Sequence, residues 1–146
     1  MLLSQTAEYA LRAMAWIALQ PRDVPIRSRD MSQSTQIPIH YLSKILRRLV
    51  LAGLLHSQKG QGGGFLLARP AHEIRFQDIL NAVDAAPEEE SRCAFGWGAC
   101  GKANPCPLHE SWSRLKDSLQ DWAQNTTLDA VKHTPRQPPA TAADPH

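Results

Sequence analysis

The stretch "LLHSQKGQGGGFLLARP", residues 54 to 70, sets Gly60, Gly62, Gly63 and Gly64 between two short apolar runs. Glycine reaches positive φ without steric penalty and weakens the interior of a helix or strand, so the run marks a turn. Its flanks, Leu54 to Gln58 and Phe65 to Ala68, have the length and composition of strands. A phosphate-cradling loop would need a Lys-Ser/Thr ending and a following helix, and neither is present. The stretch therefore reads as a β-hairpin with a glycine tip, and what precedes it decides the fold.

Three helices are expected upstream. Residues 3 to 19 put Leu3, Ala7, Ala10, Leu11, Met14 and Ala18 on one face, with Ser4 or Thr6 at the start and Pro21 at the end. A short polar helix follows, with Ser28 as its N-cap. In "IPIHYLSKILRRLVLAGLL", Pro38 suits a first helical position, Leu42, Ile45, Leu46 and Leu49 form a buried stripe, and Gly53 closes the helix in the left-handed region. Two short helices joined by a tight turn form a helix-turn-helix, and the hairpin behind them makes it a winged helix. A fourth helix, Phe76 to Asp84, carries Phe76, Ile79, Leu80 and Val83 at helical spacing.

Beyond a loop over residues 85 to 106, a long helix is expected from Pro107 to about Lys132. Leu108, Trp112, Leu115, Leu119 and Trp122 recur at 4, 3, 4, 3 spacing, a seam too apolar to face water alone, which should pack on the first helix or on another subunit. The final residues, "TPRQPPATAADPH", have the composition of a disordered tail.

The fold class is thus mainly α with a small β wing. Residues 1–84 form a winged helix-turn-helix DNA-binding domain, 85–106 a loop, 107–132 a dimerisation helix and 133–146 the tail. No run of about 18 apolar residues exists to span a membrane. Glu8 and Arg12 interrupt the apolar N-terminus, which lacks the basic start of a signal peptide. The expected location is the cytoplasm.

The net charge is only +2, but its distribution is uneven. Arg22 to Lys59 holds seven Lys/Arg against Asp23 and Asp30, whereas Asp84 to Glu90 holds four acids and no base. The N-terminal half is expected to face a polyanion. Most basic residues on helices are no more than a solvated face. Here Pro38, His40, Tyr41 and Lys44 stand at a helix start, where a recognition helix meets base edges. Arg47, Arg48 and Lys59 can meet phosphates, and Lys59 or Gln61 at the wing tip can enter a minor groove.

All three cysteines lie in "CAFGWGACGKANPCPLHESW", in the pattern C-x6-C-x5-C-x2-H formed by Cys93, Cys100, Cys106 and His109. Buried free thiols are expected on helices or strands, not in a glycine-rich loop. A disulfide does not suit the compartment and leaves one cysteine over. An enzyme is not expected, because nothing marks one cysteine as a nucleophile with a paired base. Soft thiolates on a flexible loop suit a metal. Zinc closed by Cys3His and an iron–sulfur cluster remain open on spacing.

Together, "QTAEYALRAMAWIAL", "IPIHYLSKILRRLVLAGLLHSQKGQGGGFLLARP" and the cysteine loop resemble the IscR/NsrR family (Rrf-type) of bacterial winged-helix iron–sulfur regulators, over residues 2 to 125. The resemblance implies a homodimer on an imperfect palindrome of double-stranded DNA, with C-terminal helices crossing between subunits. It favours a cluster, [2Fe-2S] or [4Fe-4S], over zinc, held by Cys93, Cys100 and Cys106. The fourth ligand it implies is His109 or, from the partner subunit, Glu8; His109 is preferred because it needs no second chain. Tyr41 matches the family, whereas Pro38, His40, Ser43 and Lys44 differ from its frequent residues, and the first cysteine spacing is one residue longer than usual. The function these readings imply is a regulator, in the family's usual mode a repressor, sensing redox state, nitric oxide or iron–sulfur supply.

Overall fold

A computed structural model describes residues 3–84, 93, 95–98, 100–101 and 103–133. The acidic linker, except for Asp84, and the tail from residue 134 lie outside the described residues. The elements run α1 (Gln5–Ala18), α2 (Ser28–Thr35), α3 (Ile39–Leu51), β1 (Leu55–Gln58), β2 (Gly64–Leu67), a 3-10 turn (Ala71–Glu73), α4 (Phe76–Val83), α5 (His109–Asn125) and a second 3-10 turn (Leu128–His133).

The first helix starts where Ser4 accepts a hydrogen bond from the Ala7 amide at 3.0 Å, filling one donor the helix cannot satisfy itself. It buries Ala7, Ala10, Ala13, Met14, Ile17 and Ala18, whereas Leu3 and Leu11 of the expected stripe are only half-buried. Alanines on this face let α3 and α4 approach closely. Arg27, not Ser28, is the N-cap of α2. Pro38 likewise sits one position outside α3, with ψ 134° and its carbonyl accepting from Leu42. The expected α3 stripe is fully inside, with Leu42, Ile45, Leu46 and Leu49 at no more than 2% exposure.

The hairpin pairs antiparallel from Leu55 opposite Leu67 to Gln58 opposite Gly64. The hairpin gains a third partner that its sequence does not announce. Ile26 exchanges two backbone hydrogen bonds with Phe65, at 3.0 and 2.8 Å, so the wing is anchored to the segment between α1 and α2. Gly64 makes that approach possible, since a Cβ there would collide with the Ile26 backbone.

The long C-terminal helix is shorter than expected. It ends at Asn125 because residues 126–128 turn back onto the entry to α4. Thr127 bridges Arg75, the Phe76 amide donates to the Thr126 carbonyl, and the Leu128 amide donates to the Ile74 carbonyl at 2.7 Å. Leu128 is then fully buried in the core.

Candidate metal centre and nucleic-acid interface

The three thiols, separated by up to twelve residues of sequence, converge in space. The ligand atoms of Cys93, Cys100 and Cys106 all lie within 4.8 Å of one another. Cys93 is buried and the other two are half-buried. They line a cleft of about 170 Å³ together with Trp97, Asn104, Pro105 and Pro107. Local turns bring this about: the Gly96 amide bonds the Cys93 carbonyl, and Asn104 closes on Gly101. Gly96 and Gly98 sit at φ 72° and 83°, a region unfavourable to other residues.

Backbone amides point at the sulfurs. Phe95 donates to Cys93 and Cys106 donates to Cys100, each at 3.4 Å. The Trp97 amide above all, helped by Phe95, pulls the Cys93 thiol below its ordinary pKa, because donors favour the thiolate. Burial pushes Cys106 the other way. Three converging thiols, one of them with a lowered pKa, form a donor set that could hold a soft metal ion. Three cysteines and an imidazole are also donor types found on iron–sulfur clusters, so the residues fit such a group.

His109 is the first residue of α5, and its Nδ1 lies 3.2 Å from Cys100 Sγ. It touches the thiol group yet is not one of the set mutually within 4.8 Å. Glu8 sits in the first turn of α1, half-buried, and within its own chain it is not in that set either. One feature escaped the sequence reading. The rings of Phe95 and Trp97 stack at 4.9 Å beside the cleft while remaining largely exposed. Their alternation with glycine in "FGWG" was the available signal.

The expected DNA-facing residues fall on two neighbouring projections. Pro38, just before α3, and His40, Tyr41, Lys44 and Arg47 on it are all exposed. The first turn of α3 holds no acid, so the positive end of the helix dipole is left to face an anion. Tyr41 is steadied by an edge-on contact with Tyr9 at 6.1 Å, and Arg12 lies over the Tyr9 ring at 5.3 Å. Lys59 and Gln61 are exposed at the wing tip, interleaved with Gly60 and Gly62 at φ 92° and 74°. Arg48 differs, because its Nη1 donates to the Val83 carbonyl at 2.8 Å and so turns toward α4. Among the described residues no helix is long and apolar enough to cross a membrane.

The Rrf2 family model, described as an iron-dependent transcriptional regulator, matches residues 3–134. The transcriptional regulator IscR of Pectobacterium carotovorum is 35% identical over 131 residues, covering 90% of this chain and 79% of the relative. Two solved structures share the fold. The global cysteine regulator CymR of B. subtilis superposes with a TM-score of 0.73 at 23% identity, over 90% of this chain and 97% of that one. The IscR of T. potens gives 0.68 at 22% identity, over 92% of each chain.

Proposed function

Because the chain belongs to the Rrf2 family of iron-dependent transcriptional regulators, we propose that it is a homodimeric repressor whose cysteine loop carries an iron–sulfur cluster and makes DNA binding responsive to redox state, nitric oxide or iron–sulfur supply. The observation that carries the metal reading is the convergence of all three thiols within 4.8 Å. Cys93, Cys100 and Cys106 hold the cluster, and His109 supplies the fourth ligand. The cluster supplies a redox- and ligand-sensitive iron centre. The chain's own residues do the rest: the amides of Phe95 and Cys106 donate to the sulfurs of Cys93 and Cys100 and orient them, and the prolines flanking Cys106 fix the loop's entry into α5.

DNA is read by the α3 face. His40, Tyr41 and Lys44 donate toward base edges, Arg47 neutralises phosphate, Pro38 sets the start of the helix, and Lys59 and Gln61 follow the minor groove. The half-buried seam of α5 supports a dimer. Leu108, Leu115 and Trp122 remain 45%, 44% and 41% exposed in a single chain, and only Ala123 of the helix is buried. A second copy with its recognition helix about 34 Å away would match successive major grooves of an imperfect palindrome.

Anaerobic purification followed by absorption spectroscopy and iron and acid-labile sulfide analysis tests the reading. A brown protein with both elements is expected, losing them when the three cysteines become alanine. A colourless protein holding zinc alone overturns the sensor.

A further inference from the structure

Arg48 stands among the basic residues of the recognition helix, and its sequence context assigns it to phosphate. Its geometry assigns it elsewhere. We infer that Arg48 is a positioning residue that ties the recognition helix to the end of α4 from which the chain enters the cysteine loop, and that it couples the state of that loop to DNA affinity. The inference rests on the proposed function for its ligands.

Val83 is the last residue of α4 and is 4% exposed. Its carbonyl is one of those a helix leaves without an internal partner, and a guanidinium there also matches the negative end of the helix dipole. The 2.8 Å bond from Arg48 Nη1 fills that place. The next residue, Asp84, is held from the other side. Ser4 Oγ lies 2.9 and 3.0 Å from the two carboxylate oxygens of Asp84, and the same hydroxyl caps α1. One corner thus joins the start of α1, the recognition helix and the end of α4. Only eight residues of sequence, 85–92, separate it from Cys93.

The opposite end of α4 is joined to the helix that begins with His109. Phe76 meets Trp122 edge-on at 5.1 Å, and residues 126–128 pair with 74–76. Both chain segments leaving the metal centre therefore terminate on α4. A rearrangement of the loop or of α5 reaches α3 through α4, and Arg48 adds a directional hydrogen bond to the apolar packing between those two helices. Such coupling requires one element biased by both sites, and α4 meets that requirement.

Salt dependence separates positioning from phosphate contact. The probe is a duplex selected in vitro from a randomised library by the unmodified protein, titrated between about 50 and 200 mM salt. Losing a phosphate contact flattens the log–log slope by about 0.9, hence about 1.8 for a dimer. Arg47→Met is expected to show that change. Arg48→Met is expected to keep the unmodified slope while the affinity ratio between cluster-loaded and chelator-stripped protein moves several-fold toward one. A slope flattened as in Arg47→Met, or an unaltered ratio, overturns the inference. If the unmodified protein binds no cluster, the proposed sensing fails, and the slope alone still decides whether Arg48 contacts phosphate. If Arg48→Met does not fold, Ser4→Ala loosens the same corner without removing a positive charge. A changed ratio at constant slope then supports the coupling, and an unchanged ratio overturns it.

Discussion

Nδ1 of His109 lies 3.2 Å from Sγ of Cys100, across the joint between the cysteine loop and the first turn of α5. Two residues nine positions apart in sequence are thus brought into hydrogen-bonding contact by the loop's own turns. Under the proposed cluster reading, this contact gives His109 the role of a ligand or of the group that orients Cys100, and both roles predict a loss when it is removed. His109→Ala is expected to weaken iron retention by about 10–100-fold, the usual cost of losing a ligand's support, while His109→Cys keeps it. Iron content after timed exposure to a chelator is the measurement. Should Glu8→Ala strip the iron and His109→Ala leave it, the fourth ligand is the partner subunit's Glu8.

The sequence made the α3 stripe and the wing legible because their signals are local: a 3.6-residue period, a proline before the helix, glycines at the turn. It also located the three cysteines as a group. It did not reveal where α5 ends, because the stop is imposed from fifty residues away, when Ile74 and Phe76 take the backbone groups of Thr126 and Leu128. The strand-like pairing of Ile26 was hidden for the same reason. Arg48 shows the limit for sites: its type and helix fit a phosphate contact, and only its distance to Val83 shows the alternative partner.

The α5 seam yields a prediction about assembly. Leu115 is 44% exposed in one chain, so the proposed dimer can bury a little under half of each leucine, about 1.3–2.6 kcal/mol for the two copies together. Leu115→Glu is therefore expected to weaken dimerisation by roughly tenfold to a hundredfold or more. Sedimentation equilibrium measures it, and the melting temperature at high protein concentration checks that the chain still folds.

Stability should fall in acid through Asp129. The His133 side chain first, and Lys132 second, hold its carboxyl below the ordinary value of 3.8, with contacts of 3.0 and 3.4 Å. A depressed carboxylate binds fewer protons in the folded chain than in the unfolded one, so its contribution grows with pH. It is complete above the ordinary value and is lost as pH falls through the folded one. Asp129→Asn is expected to be slightly less stable at neutral pH, with the gap to the unmodified protein closing below about pH 3.8. Denaturant melts across that range read the convergence.

Gly64 tests how firmly the wing is set. Its φ of 147° disfavours any L side chain, and an added Cβ would strike the backbone of Ile26. Backbone cannot give way as a flexible side chain can, and the two hydrogen bonds between Ile26 and Phe65 would have to lengthen. Strained backbone of this sort costs roughly 1–3 kcal/mol, with the collision adding to it. Gly64→Ala is thus expected to lower the unfolding free energy by at least that amount and to release the wing from its third strand-like partner. Gly62, at φ 74° with open space around its Cβ position, carries only the conformational part. Gly62→Ala should then cost less, and equal losses in the two variants would mean that contact with Ile26 does not hold the wing in place.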